Sequence, residues 1–566
     1  VGTPFDETAI DNALADLTAG EKVWAATSLR RRRELLDEIH ARTGRFAEDW
    51  VRAACVIKGL DEDSPLVGEE WMSGPLTLLQ ATAALSATLA ALEAGHSPLT
   101  GLALKEAPGG RVAVPILPHG RYDRLLLNGF SGEVWLRPGV DADTARRHAG
   151  LAQLDPTVTG GIGAVLGAGN ITSIPPLDAL YELYAHNRVV ALKLNPITDP
   201  LFTVFEMVFE PLLELGVLRI LTGGAEQGGY LVHHPDVAHV HMTGSANTHD
   251  AIVWGAGPEA AQRKKDNRPL LDKPITSELG GVSPTIVVPG AWSDADLRYQ
   301  AAHVATQRLH NGGYNCVASQ AVVLSANWDR KDEFLDELRL AMERAPQRTA
   351  YYPGSDARVA DALASYPEAE RLGAGRVLVD QLPRTGTPLL RTEYFSPVLG
   401  VVELPYAGGE FLQRAVDFAN AELTGTLGAN VIAPPTTIRR LGIAFDRAIE
   451  RLRYGAIAVN AWTGLAFLAP RAAWGAFPGH TLDDVQSGIG VVHNALLLDD
   501  VERTVVRGPF RPAPRSLLGG ELALSPKPPW FVDNATAATT GRRLTEFYAD
   551  ANPARLPGVF LSALRG

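Results

Sequence analysis

Only two cysteines occur in 566 residues, and one of them, Cys316, sits in the glycine-flanked stretch Asn-Gly-Gly-Tyr-Asn-Cys-Val at 311–317. A thiol is a strong nucleophile only as thiolate, so it needs a base or a positive field. Attack on a carbonyl further needs donors for the oxyanion that forms. Four other segments could supply these parts. Glu278, in Ser-Glu-Leu-Gly-Gly-Val-Ser-Pro, precedes two glycines that permit close backbone approach, and a carboxylate there could act as general base on a thiol or a water. Asn170, in Val-Leu-Gly-Ala-Gly-Asn, falls where an apolar strand gives way to a helix, and its amide could face an oxyanion or merely cap the helix. Lys193 closes the apolar run Arg-Val-Val-Ala-Leu-Lys, at the strand end where ligands bind in open α/β sheets, and suits ribose hydroxyls or phosphate. Thr243-Gly244-Ser245 ends a strand and opens a helix, a place suited to pyrophosphate. Taken singly each signal is weak: Glu278 also reads as a surface charge, and Cys316 as a small buried hydrophobe.

The elements that must position these residues are legible in outline. Residues 1 to about 100 read as helices. Ser28 or Thr27 can cap one that carries Leu29, Leu36 and Ile39 on one face and ends at Gly44, and a second runs from about 45 to 58 with Phe46, Trp50, Ala54 and Ile57 in a stripe. Residues 111–138 turn strand-like, interrupted by Pro and Gly. From about 160 short apolar runs alternate with amphipathic stretches such as 175–186 and 294–309, the pattern of parallel sheets covered on both faces. The last stretch, from about 508, is rich in Pro, Arg and Gly and turns helical from about 535 to 549, like an appended arm.

Length alone argues for two or three domains. Hydrophobic residues make up 46% and charged residues 20%, as in ordinary globular proteins. A net charge of −12 argues against nucleic acid as the main partner. The run Arg30–Arg33 reads as a solvated helix face. Two distant cysteines build no disulfide framework, so a reducing compartment, the cytoplasm, is expected. The N-terminal residues are acidic and polar, so no signal peptide is expected, and the apolar region 454–477 contains Asn460 and Arg471, which suits a pocket wall better than a membrane span.

In their order and spacing, the segments above resemble the aldehyde dehydrogenase superfamily from about residue 15 to about 505. Asn311, Gly313 and Cys316 meet its Asn-x-Gly-Gln-x-Cys pattern, 278–284 its Glu-Leu-Gly-Gly-x-Ser-Pro, and Glu393, Phe395 and Pro397 its Glu-x-Phe-Gly-Pro. A late Ser-Gly-Ile-Gly at 487–490 and the strand leading into Thr-Gly-Ser also match. The resemblance implies an α/β fold of two parallel-sheet domains with a small β-arm: a dinucleotide-binding domain over 1–110 and 139–277, an oligomerisation arm over 111–138, a catalytic domain over 278–490, and a C-terminal arm and extension over 491–566. It implies an aldehyde substrate oxidised to a carboxylic acid, with NAD or NADP as cofactor and a homodimer or homotetramer as the assembly. Cys316 is then the nucleophile, Asn170 and the Cys316 N–H the oxyanion donors, and Glu278 the base for hydrolysis. Lys193, Gly244, Ser245, Glu393 and Phe395 become cofactor contacts. Tyr314, Trp462 and Phe467 fall where a substrate pocket is expected, which suits an apolar or aromatic aldehyde. The arm, 111–138 together with part of the C-terminal region, is expected to pair subunits, since an exposed two-stranded arm is marginal alone and a partner chain should cover it.

The departures from the family pattern are as informative. Tyr314 replaces its glutamine, Gly169 the tryptophan before the asparagine, and His249 a glycine near the pyrophosphate turn. Pro196 stands where the family's ribose-binding glutamate is, which leaves the choice of nicotinamide open. Two alternatives follow: a CoA-acylating enzyme, which the presence of Glu278 disfavours, and a non-catalytic scaffold that has lost its cofactor. His233, His234, His239 and His241 crowd together, but no carboxylate or cysteine cluster completes a metal site, and none is expected. Cys55, on a helix among Ala and Val, reads as core.

Overall fold

The computed structural model describes residues 7–566 except Ala374. The first six residues, on which the expectation of no signal peptide rests, lie outside the described residues. The alternating apolar runs fold into two sheets. A six-stranded sheet has the order 488–489, 275–279, 237–244, 162–166, 189–193, 218–221, all parallel except its short first strand. An eleven-stranded sheet carries parallel strands at its centre, in the order 456–459, 428–432, 283–287, 319–325, 398–404. These central strands are buried on both faces, so they read in sequence as unbroken apolar runs rather than alternations. The chain crosses from one sheet to the other at Gly280 and Gly281, between the strands Ile275–Leu279 and Ser283–Val287.

The helices follow their caps. Ser28 accepts from the Arg31 N–H and starts Leu29–Arg45, and Gly59, left-handed at φ 58°, ends Ala47–Lys58. One expectation needs correcting here. Arg30, Arg31 and Arg33 form exposed ion pairs, but Arg32 falls on the same face as Leu35, Leu36 and Ile39 and is fully buried. There it stacks 4.1 Å over Trp24 and donates to Trp24, Thr27 and Pro156 carbonyls and to Gln153 and Asn187. On the next helix Lys58 is buried as well, beside a stripe in which Trp50 is buried and Phe46 and Ile57 pack partly buried against the core. The helical run Val67–Glu93, kinked at Gly74, is long and apolar enough to cross a membrane by composition, and Leu78, Leu85 and Leu89 within it belong to the core.

The arm differs most from expectation. Its strands Arg111–Leu117 and Ser131–Leu136 are joined by a short helix, Arg121–Leu126, and Ser131–Leu136 pairs antiparallel with Val501–Arg507. Val501–Arg507 in turn pairs parallel with Ala456–Val459, so the arm prolongs the chain's own eleven-stranded sheet. The reason given for a covering partner chain, an unsupported two-stranded arm, therefore does not apply. The C-terminal extension likewise packs on its own chain. Phe531 stacks on Tyr299 and His303, Phe510 meets Trp292 edge-on, and Gly541 lies against Trp71 and Gly68.

The extension is pinned by Asp296, a fully buried carboxylate that receives Arg511 at 2.8 Å on each oxygen and Arg515 at 2.6 Å. Burial pushes the Asp296 carboxyl up, but Arg511 and the Ser293 N–H outweigh it and hold it below the ordinary carboxylate range. Its stabilising contribution is therefore complete above the unfolded-state value and is lost as the pH falls through the folded one. Asp296→Asn is expected to cost about 2 kcal/mol, below the value for a fully buried pair because Arg515 is partly exposed. Urea denaturation measures this, and an unchanged midpoint would mean that apolar contacts alone hold the extension.

Candidate active site

Cys316 is delivered by a sharp reversal. The helix Asp294–Leu309 ends, and Asn311, Gly312 and Gly313 then take left-handed conformations at φ 53°, 70° and 83°. Glycine accommodates two of these without strain, and Asn is the side chain that best tolerates the third. Cys316 emerges half-buried just before the strand Ser319–Ser325. It lines one apolar cavity, about 40 Å3, together with Asn170, Trp462, Phe467, Trp474 and Trp530.

The Glu278 carboxyl, on the last strand before the sheet crossing, neighbours the Cys316 thiol closely enough for each to shift the other's pKa, and its buried Oε1 has no hydrogen-bond partner. Burial, with Asp178 adding to it, pushes Glu278 up to about 7, while the contacts with Cys316, His241 and Trp474 oppose the rise. Glu393 sits against Gly280, where any Cβ would collide with its carboxyl group. Burial raises Glu393 to about 8, with Arg308 opposing and Glu278 reinforcing the shift. The thiol feels burial and both carboxylates, and its pKa lies well above that of a free cysteine. Burial and the two carboxylates thus favour the thiol over the thiolate at Cys316.

Asn170 donates one amide hydrogen to the Tyr314 carbonyl at 2.9 Å, which leaves its second for the cavity that it shares with the sulfur. The Cys316 backbone N–H reaches toward its own sulfur. The space of the family's missing tryptophan is filled from the side: a Cβ at Gly169 would meet Asn195 and Ile197.

Behind the reversal lies a buried polar brace that reading the sequence did not find. Asn311 donates from its amide to the Asn170 and Tyr314 carbonyls (3.1 and 3.2 Å) and from its backbone N–H to Glu69 (3.0 Å). Its side-chain oxygen accepts from Lys58 and Tyr351, each at 3.0 Å. Lys58 pairs with Glu70 at 2.9 Å and Arg348 with Glu69 at 2.8 Å, all four side chains below one-tenth exposed. The available signal was Lys58 on an apolar helical stripe, where an unpaired charge would not be tolerated.

Tyr314 is corrected. It does not line the Cys316 cavity. Its hydroxyl donates to Ser355 at 2.7 Å, and its ring stacks on Tyr352 and meets Tyr351 edge-on. Phe395, left-handed at φ 40°, joins this aromatic group at 4.8 Å from Tyr352. Trp462 and Phe467 do line the cavity.

On the other sheet, Lys193 ends its strand nearly buried, lowered by that burial and partly restored by nearby Asp199, whose buried Oδ1 has no partner. Ser245 caps the helix Ala246–Trp254 by accepting from the Thr248 N–H, with Gly244 exposed beside it. His249 turns inward and is fully buried, so its bulk does not obstruct the exposed start of that helix. His239 and His241 share the Thr276 hydroxyl at 2.9 Å, and His241 with His493 flanks the buried Asp178.

A family model described as the aldehyde dehydrogenase family matches residues 177–358. The match takes in Lys193, Gly244, Ser245, Glu278 and Cys316, and stops short of Asn170 on one side and Glu393 on the other. The chain is 27% identical over 207 residues to an aldehyde dehydrogenase of Enchytraeus buchholzi, covering 36% of this chain and 33% of that one. It is 24% identical over 272 residues to a D-glyceraldehyde dehydrogenase (NADP(+)) of Picrophilus torridus, covering 43% and 49%. It thus spans a third to a half of the length of these curated relatives. Solved structures resemble it over nearly its whole length. A gamma-glutamyl-gamma-aminobutyraldehyde dehydrogenase from Burkholderia cenocepacia aligns with TM-score 0.58 at 20% identity, covering 88% of each chain. An aldehyde dehydrogenase from Pseudomonas syringae, solved with NAD+ and octanal, aligns at 0.58 and 18%, covering 89% and 90%. At such identities the likeness establishes the fold.

Proposed function

We propose that the chain, which the aldehyde dehydrogenase family model matches over 177–358 and whose fold such enzymes share, is itself a member that oxidises an apolar or aromatic aldehyde to the carboxylic acid with NAD or NADP. The observation that carries this reading is the Cys316 thiol held against the Glu278 carboxyl in a cavity that it shares with Asn170.

Glu278 takes the thiol proton, and the sulfur adds to the aldehyde carbon, giving a thiohemiacetal whose oxyanion is met by Asn170 and the Cys316 N–H. A nicotinamide, when bound, would accept the hydride that leaves this carbon, and Cys316 would then hold the acyl group as a thioester. Once Glu278 has passed the thiol proton to solvent, it removes a proton from the water that cleaves the thioester, and the Cys316 thiolate that leaves takes this proton back. Trp462, Phe467 and Trp474 exclude bulk water from that cavity and contact the apolar part of the substrate.

The residues present fit a dinucleotide. Gly244 and Ser245 leave a helix start open to a pyrophosphate, and Glu393 and Lys193 offer partners for ribose hydroxyls. An aldehyde panel assayed with each cofactor, following absorbance of the reduced nicotinamide, tests the proposal. Aldehyde-dependent reduction of neither NAD nor NADP would overturn it.

Asp199 supplies a carboxylate near Lys193 even though Pro196 replaces the family's glutamate, and its bare oxygen suits a ribose diol better than a phosphate. Asp199→Ala is expected to weaken NAD about tenfold, about 1.4 kcal/mol, and to spare NADP. Titration of both cofactors measures this, and equal losses for both would count against the role.

A further inference from the structure

A second cavity adjoins the one at Cys316. About 130 Å3 in volume, it lies between the helix Thr77–Glu93, the arm's short helix, residues 465–470 and the C-terminal extension. Leu76, Leu127, Phe130, Leu465, Leu544 and Phe560 are among its walls. Met72, Leu468 and Trp530 line both cavities, so three apolar side chains form the partition between this space and the sulfur. Of these, Trp530 comes from the extension and packs edge-on against Phe130 of the arm.

The polar side chains in the wall are largely occupied with one another. Tyr548 hydrogen-bonds with Gln80 and Asp123, and Asp123 also accepts the backbone N–H groups of His119 and Gly120. Ser525 donates to the Asn128 carbonyl, Thr540 Oγ1 is left without a partner, and the rest of the lining is mostly hydrocarbon. A polar or charged occupant would lose its water and gain few partners, whereas an apolar chain would bury surface favourably.

We propose that this outer cavity is a chain-binding subsite, in which the C-terminal extension receives the distal hydrocarbon of a medium-chain aldehyde whose carbonyl carbon reaches Cys316 past Met72, Leu468 and Trp530. The proposal rests on the reading that Cys316 accepts an aldehyde. The extension, packed in cis against the entrance, thus sets substrate length.

Straight-chain aldehydes from propanal to decanal, assayed on the full chain, test this. Once the chain passes the partition, kcat/KM is expected to rise about fourfold per methylene. Ala563→Phe and Val559→Trp, which fill the outer cavity from the extension, should lower the octanal-to-propanal ratio of kcat/KM on the order of thirtyfold. That ratio is insensitive to a general loss of folded enzyme. Octanoate should raise the melting temperature of the wild type and leave that of A563F unmoved, a readout that needs no turnover. A flat chain-length profile with active enzyme would overturn the subsite and leave the proposed function intact. Octanoate stabilisation of the wild type alone, with no aldehyde oxidised, would keep the subsite and overturn the function. If either variant fails to fold, the wild-type profile and the octanoate shift still decide.

Discussion

Replacing Cys316 with alanine is expected to remove aldehyde-dependent nicotinamide reduction by about four orders of magnitude or more, because no other group can hold the acyl carbon during hydride loss. The expectation follows from position as much as chemistry. Cys55, the other cysteine, is buried among Ala47, Val51, Val67 and Trp71, and cannot substitute. Cofactor affinity should stay within about twofold, since the sulfur adds nothing to dinucleotide binding, so KM for the nicotinamide and its direct titration separate a missing nucleophile from a misfolded site. A C316A enzyme that turns over at the parent rate would take the nucleophile, and with it the mechanism, off the table.

The second large effect concerns Glu278. Its carboxyl is pushed up to about 7 chiefly by burial, so near neutral pH it divides between acid and base forms. Only the ionised form can take a proton from thiol or water. Turnover should therefore climb about tenfold per pH unit below this value and level off above it. Glu278→Gln keeps the shape and removes the base. Deacylation should fall about 10^2- to 10^4-fold, and the acidic limb of the pH profile should vanish. If the thiol still adds, one equivalent of reduced nicotinamide should appear in a burst before a slow steady state. A Gln variant that keeps the wild-type pH profile would show that another group sets it, such as Glu393, whose own pKa Glu278 helps to raise.

Both predictions depend on groups that sequence spacing brought forward, yet their environments were not legible there. The Asn-x-Gly-x-x-Cys stretch marks Cys316, but only packing shows that the thiol is held protonated by burial and two carboxylates. Arg32 reads as a surface charge and Lys58 merely as the end of a helix, because an isolated helix does not reveal what its apolar face will meet. In the fold each has partners far along the chain: Lys58 has Asn311, besides the nearer Glu70, and Arg32 has Gln153 and Asn187. Tyr314 was misplaced for a similar reason. The left-handed turn at 311–313 directs its ring to Ser355 and Tyr352, while its carbonyl faces Asn170.

By itself the sequence determined the parts whose physics is local: the parallel strands as continuous apolar runs, the helix Asp294–Leu309, the capped start at Ser28, and the ordered motifs that carry Cys316, Glu278 and Lys193. Only the tertiary structure decided where the arm and the extension go. Strand pairing such as Val501–Arg507 with Ser131–Leu136, and a buried Asp296 gathering two arginines from the tail, join residues hundreds of positions apart. Such contacts are set by which surfaces exclude water together, and no periodicity in the chain encodes that.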